Sequence, residues 1–134
     1  MNIPINAEEE RQTVSIDFDG VIHEYTSGWK GADKVVDGPV PGAMAFLVKA
    51  VEKFDVCIFS NRNTQPGGIA AMRAFIAKHL EQLLGMDPQP ILDQIRFPLE
   101  KPSAVLYIDD HGFQFRGEFP TINQIANFKT WNQS

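Results

Sequence analysis

Three short polar groups hold the chemistry that can be read directly from this chain: Asp17 and Asp19 in Asp17-Phe18-Asp19-Gly20, then Ser60-Asn61-Arg62, then Asp109-Asp110. Carboxylates gathered within a few ångströms repel one another, so such a cluster either binds protons with raised pKa or holds a divalent cation. Hard oxygen ligands favour Mg²⁺, which keeps several waters and bridges readily to phosphate. A carboxylate can attack phosphorus while a second one, two residues on, protonates the leaving group and later activates water. Gly20 permits the chain to leave strand geometry directly after this pair. The Ser60 hydroxyl and the backbone N–H groups beyond it can donate to phosphoryl oxygens.

These groups converge only if the elements that carry them lie side by side. Thr13–Phe18 alternates with β-branched residues and predicts a first strand, Val56–Ser60 a strand buried on both faces, Ile95–Phe97 a weaker third, and Ala104–Ile108 a fourth. Ala43, Phe46, Leu47, Ala50 and Val51 predict a helix over 41–53 with Pro41 in its first turn. Ile69, Met72, Ile76, Leu80 and Leu83 predict another over 66–84, stopped by Gly85 and Pro88. Phe46-Leu47 and Met72-Ile76 are expected in the core. Thr121 is placed to cap a final short helix bearing Ile122, Ile125 and Phe128. Strands alternating with helices predict a Rossmann-like α/β three-layer sandwich on a mostly parallel sheet. In such a sheet the site lies at the carboxyl ends of the strands, where all three polar groups fall.

The chain has 134 residues, of which 43% are hydrophobic and 22% charged, so a single globular domain over 1–134 is expected and a disordered or fibrous chain is excluded. The net charge of −5 argues against non-specific nucleic-acid binding, which depends on clustered Lys and Arg. Cys57, the single cysteine, lies in an apolar run and reads as a buried thiol in a reducing compartment. The start MNIPINAEEE has no targeting pattern and no apolar run reaches membrane-spanning length, so a cytoplasmic protein without membrane partners is expected.

The segments IDFDGVI, FSNR and YIDD, in that order on three strands, resemble motifs one, two and four of the haloacid dehalogenase (HAD) superfamily, and the resemblance covers most of the chain. It implies an Mg²⁺-dependent phosphomonoester hydrolase, a phosphatase working through an aspartyl phosphate. Carried over by position, it implies Asp17 as nucleophile and Asp19 as general acid/base. It also implies Ser60 as phosphate binder, and Asp17, Asp109, Asp110 and the Asp19 backbone carbonyl as metal ligands. Asn61 and Arg62 join Ser60 as expected phosphate or substrate contacts. The family's third-motif Lys has one nearby counterpart, Lys101, which a strand over 104–108 would leave ~15–20 Å from the acidic cluster. Arg62 is therefore expected to supply the positive charge, with Lys30 and Lys34 as further candidates.

Residues 24–42, rich in Gly and Pro, are too short for a helical cap, and 85–94 hold no second domain, so the resemblance is to a capless member. Its site would be open to solvent unless a homo-oligomeric partner covers it, and the phosphorylated substrate is small or macromolecular. Two other readings stand beside this one. A receiver-like signalling module also uses an acidic cluster, but its acidic pair comes on the first strand, whereas here the pair comes last. A catalytically silent HAD-like scaffold would bind a phosphorylated ligand or a protein partner without turnover. Tyr25 and Trp29 either anchor the excursion or line a substrate entrance. His23 and His79 receive no role, and His111 is placed to support Asp110.

Overall fold

The computed structural model describes residues 11–133. The acidic lead-in, with its expected lack of a targeting pattern, lies outside them. Strand β1 is Thr13–Ile16, β2 Asp55–Ile58, β3 Ile95–Arg96 and β4 Leu106–Ile108, joined in the order β3-β2-β1-β4 with every pairing parallel. Helix α1 (Ala43–Ala50) links β1 to β2, and α2 (Gly68–Leu84) and α3 (Gln89–Leu92) link β2 to β3. The α/β class is thus as expected, with a small central sheet that is parallel throughout.

The core follows from the apolar spacing. Val14, Ile16, Val56 and Ile58 on the strands meet Leu47 of α1 and Met72, Ile76 and Leu80 of α2, all buried. Phe18, beyond the end of β1, is also fully buried and packs edge-on against Phe75 at 5.5 Å between centroids. Cys57 is buried, as its apolar run suggested, and burial pushes its thiol pKa up.

Several expectations need correction. Because α1 starts at Ala43 after Gly42 in left-handed geometry (φ 88°), Pro41 precedes the helix instead of occupying its first turn. Phe46 is 44% exposed and not core. It lies in an apolar groove with Phe54, Val105 and Leu106, beside the edge strand β4. Leu83 is exposed because α2, with 17 residues, rises about 25 Å and outruns strands of about 13 Å. The three-layer expectation is met only in part. Helices α1 and α2 are in contact, and residues 97–105 return to β4 without a helix.

Thr121 caps α4 (Ile122–Ala126): its hydroxyl accepts from the Gln124 N–H at 3.0 Å while Gln124 Oε1 accepts from the Thr121 N–H at 2.8 Å. Its apolar residues Ile122 and Ile125 remain exposed. No helix among the described residues is long and apolar enough to cross a membrane.

Candidate functional site

Parallel register brings the polar groups together. Ile16 pairs with Ile108 on one side and Ile58 on the other, so Asp17, Asp109 and Phe59 each stand one residue past a registered triplet at the carboxyl edge. The pairing continues there, with the Asp17 N–H donating to the Ile108 carbonyl at 2.9 Å and the Phe59 N–H to the Ile16 carbonyl at 3.1 Å. The chain then wraps around one atom: the N–H groups of Val21, Ile22 and His23 all donate to the Phe18 carbonyl at 2.9–3.2 Å. Gly20, at φ 84°, makes this turn, and a Cβ there would run into the Asp110 carboxylate. The glycine of the first motif therefore supplies both the turn and the room for a carboxylate 90 residues later.

Asp17, Asp109 and Asp110 each offer an oxygen within 4.8 Å of the others. Burial, followed by the charges of Asp109 and Asp110, pushes the Asp17 pKa up to about 7 even though the Phe18 N–H donates to its Oδ1 at 2.8 Å. Asp110, with a side chain only 7% exposed, keeps Oδ1 buried without a hydrogen-bond partner. Asp17 in its protonated form hydrogen-bonds to Asp110, and the same gathered carboxylate oxygens, one of them orphaned and buried, could instead hold a cation. These residues fit a hard divalent ion such as Mg²⁺.

Asp19 has a different environment from Asp17. Arg62 grips its carboxylate with Nε at 2.9 Å and Nη2 at 3.1 Å, and His23 Nδ1 lies 2.9 Å from Oδ1. His23 Nε2 accepts from the Asp37 N–H at 3.0 Å, so its proton sits on Nδ1 and is donated to Asp19. Burial alone would raise the Asp19 pKa, but the hydrogen bonds from His23 and Arg62 outweigh it and hold the carboxyl below its ordinary value.

Arg62 was expected to reach phosphate. Instead its side chain is fully buried, and Nη1 donates to the carbonyls of Gly31, Ala32 and Lys34 at 3.1, 2.8 and 3.1 Å. Its guanidinium carbon lies 4.9 Å from the centre of the Trp29 ring and 5.6 Å from that of Phe18. Asp19 and the excursion carbonyls draw it inward, since a buried guanidinium must satisfy its donors.

Ser60 and Asn61 lie at the mouth of β2. The Ser60 hydroxyl accepts from the Arg62 N–H at 3.2 Å, capping the short 3₁₀ turn Asn61–Thr64 and leaving its own proton to donate. Sequence reasoning missed Asn63, whose amide donates to the carbonyls of Ile58 and Pro98 at 2.9 and 2.8 Å while its oxygen accepts from the Ser60 N–H. The Ser-x-x-Asn spacing of a capping box was the available signal. It also passed over His23, whose +4 spacing from Asp19 was readable but not its burial.

A cavity of about 330 Å³ opens at this edge, lined by Asp17, Asp19, Tyr25, Trp29, Phe59, Ser60, Asn61, Asp109, Asp110 and His111. No Lys or Arg among the described residues lines it. Lys101 lies with Nζ 4.7 Å from the Tyr107 ring centre, away from the cavity. His111, 70% exposed in its side chain, has Nε2 3.8 Å from Asp110 Oδ2, and its N–H donates to Asp109 Oδ1 at 2.6 Å. Comparison with protein-family models, curated proteins and solved structures finds no match for this chain.

Proposed function

We propose that the chain is a HAD-like, capless phosphomonoester hydrolase that uses Asp17 as nucleophile and a divalent ion, Mg²⁺ by its ligand chemistry. The observation that carries this reading is the convergence of Asp17, Asp109 and Asp110 on one point, with Asp110 Oδ1 buried and unpartnered there. Asp17, Asp109 and Asp110 would hold the ion, which would neutralise charge on the phosphoryl group and draw the proton from Asp17. An Asp17 oxygen forms a bond to phosphorus as the ester P–O bond breaks, and water later cleaves the aspartyl phosphate to inorganic phosphate. The Ser60 hydroxyl donates to a phosphoryl oxygen. Asp19, held as a carboxylate by Arg62 and His23, is suited to take the proton from the attacking water. Esters whose alcohol leaves readily as an anion ask least of it in the first half.

The test is phosphate release from an aryl phosphate, with and without Mg²⁺, for the wild type beside Asp17→Asn. Release that needs Mg²⁺ and is lost in the variant is expected; equal release from both proteins removes Asp17 as nucleophile. The absence of Lys or Arg from the cavity wall among the described residues favours one second reading, a scaffold that binds phosphate without turnover. Mg²⁺-dependent phosphate binding with no release would select it.

A further inference from the structure

We propose that the aromatic wall of the cavity is a subsite for a flat, uncharged ring, so that the ester cleaved carries such a ring close to its single phosphate and no second anionic group. This rests on the phosphohydrolase reading and adds the substrate class.

Tyr25 and Trp29 face the same cavity as the acidic cluster, and the excursion is built to keep them there. Tyr25 is the one non-glycine residue at positive φ (62°) among those described, an arrangement L-residues adopt at a cost and that surrounding contacts must enforce. Those contacts are present. The Glu24 N–H donates to the Gly38 carbonyl at 2.9 Å, Ser27 donates twice to Asp37 at 2.6 and 2.8 Å, and Arg62 takes three consecutive-region carbonyls from Gly31 to Lys34. The Arg62 guanidinium is set against the Trp29 ring, while the residue remains 46% exposed. A rigid indole fixed from behind is a preorganised stacking platform, because its ordering cost is met before a ligand arrives.

Charge narrows the class further. Asp17, Asp19, Asp109 and Asp110 line the cavity with no Lys or Arg among the described residues, so the phosphate depends on direct contact with one bound cation, and a second phosphate or a carboxylate beyond its reach would meet uncompensated negative charge. At about 330 Å³ the cavity stands at the small end of ligand sites, room for a phosphoryl group and about one ring.

The test uses non-hydrolysable probes, so it does not depend on turnover: dissociation constants of methylphosphonate, cyclohexylphosphonate and phenylphosphonate with Mg²⁺, measured by calorimetry on the full chain. Phenylphosphonate is expected to bind about tenfold more tightly than the other two, with the preference lost in Trp29→Ala and retained in Trp29→Phe. Equal affinity of the phenyl and cyclohexyl probes, or a preference that survives Trp29→Ala, overturns the subsite while leaving the phosphohydrolase reading standing. Failure of all three to bind overturns both. A nucleoside 5′-phosphonate, whose P–C bond is likewise not cleaved, run beside them, distinguishes a nucleobase from a simple aryl group as the source of the ring: the tighter binder names it.

Discussion

Arg62 holds Asp19 through two hydrogen bonds, Nε at 2.9 Å and Nη2 at 3.1 Å, although the residues stand 43 positions apart. The same guanidinium takes three carbonyls of the excursion, which ties the first motif, the end of β2 and the aromatic wall to one buried cation. Removing it strands a half-buried carboxylate and three acceptors. Arg62→Met is therefore expected to destabilise the fold by about 3–5 kcal/mol, and Arg62→Lys to recover little, since an ammonium cannot reproduce the fork. Urea unfolding measures this; a variant as stable as wild type but weakened in phosphate affinity would return Arg62 to the role of phosphate ligand.

Asp17 sets a pH dependence with an unusual sign. Its folded pKa, about 7, lies above the ordinary 3.8, so the folded state binds this proton more tightly than the unfolded one. Without metal, its contribution to stability is fully present below about pH 4 and is lost as pH rises to about 7, by a few kcal/mol at most. Asp17→Asn removes the penalty, so the metal-free variant should be more stable than wild type at pH 8 and level with it near pH 4. Thermal melts at the two pH values check this, and a variant less stable at pH 8 would contradict it.

A divalent ion must displace that proton, so its effect should grow with pH. Millimolar Mg²⁺ is expected to raise the melting temperature of wild type by several degrees at pH 8 and by less at pH 6. Asp110→Asn, which removes a charge from the cluster and replaces one carboxylate oxygen with an amide nitrogen, should abolish the shift. An undiminished shift in that variant would place the ion elsewhere.

Gly20→Ala should damage the site and the fold together. Its φ of 84° strains any L-residue, and the new Cβ would collide with the Asp110 carboxylate. A loss of about 1–3 kcal/mol with a weakened Mg²⁺ response is expected in the same melts. Wild-type behaviour would show that the turn relaxes without cost.

Lys101→Ala should change phosphate release by less than about twofold, because the Lys101 ammonium lies 4.7 Å from the Tyr107 ring centre and not on the cavity. A large loss in steady-state assays would mean that the segment before β4 folds over the site.

What could be read from the sequence was local or periodic. The runs that became β1, β2 and α2 announced themselves by alternation and by a 3.6-residue apolar stripe, and Thr121 by its capping chemistry, because backbone sterics and short-range burial decide these without distant partners. That Asp17 and Asp109 would be neighbours also followed, since in a parallel sheet strand ends share an edge. The direction of Arg62 did not follow. Its position two residues after Ser60 is compatible with facing outward or inward, and the choice rests on acceptors from residues 19 and 31–34, which only the folded excursion brings within reach. The same holds for His23, whose proton is assigned by Asp37 fourteen residues on, and for Phe46, left exposed in a groove beside the edge strand β4. Spacing sets where a side chain can begin; the partners that satisfy a buried charge, or fail to cover an apolar ring, come from elements distant in sequence, and they decide where it ends.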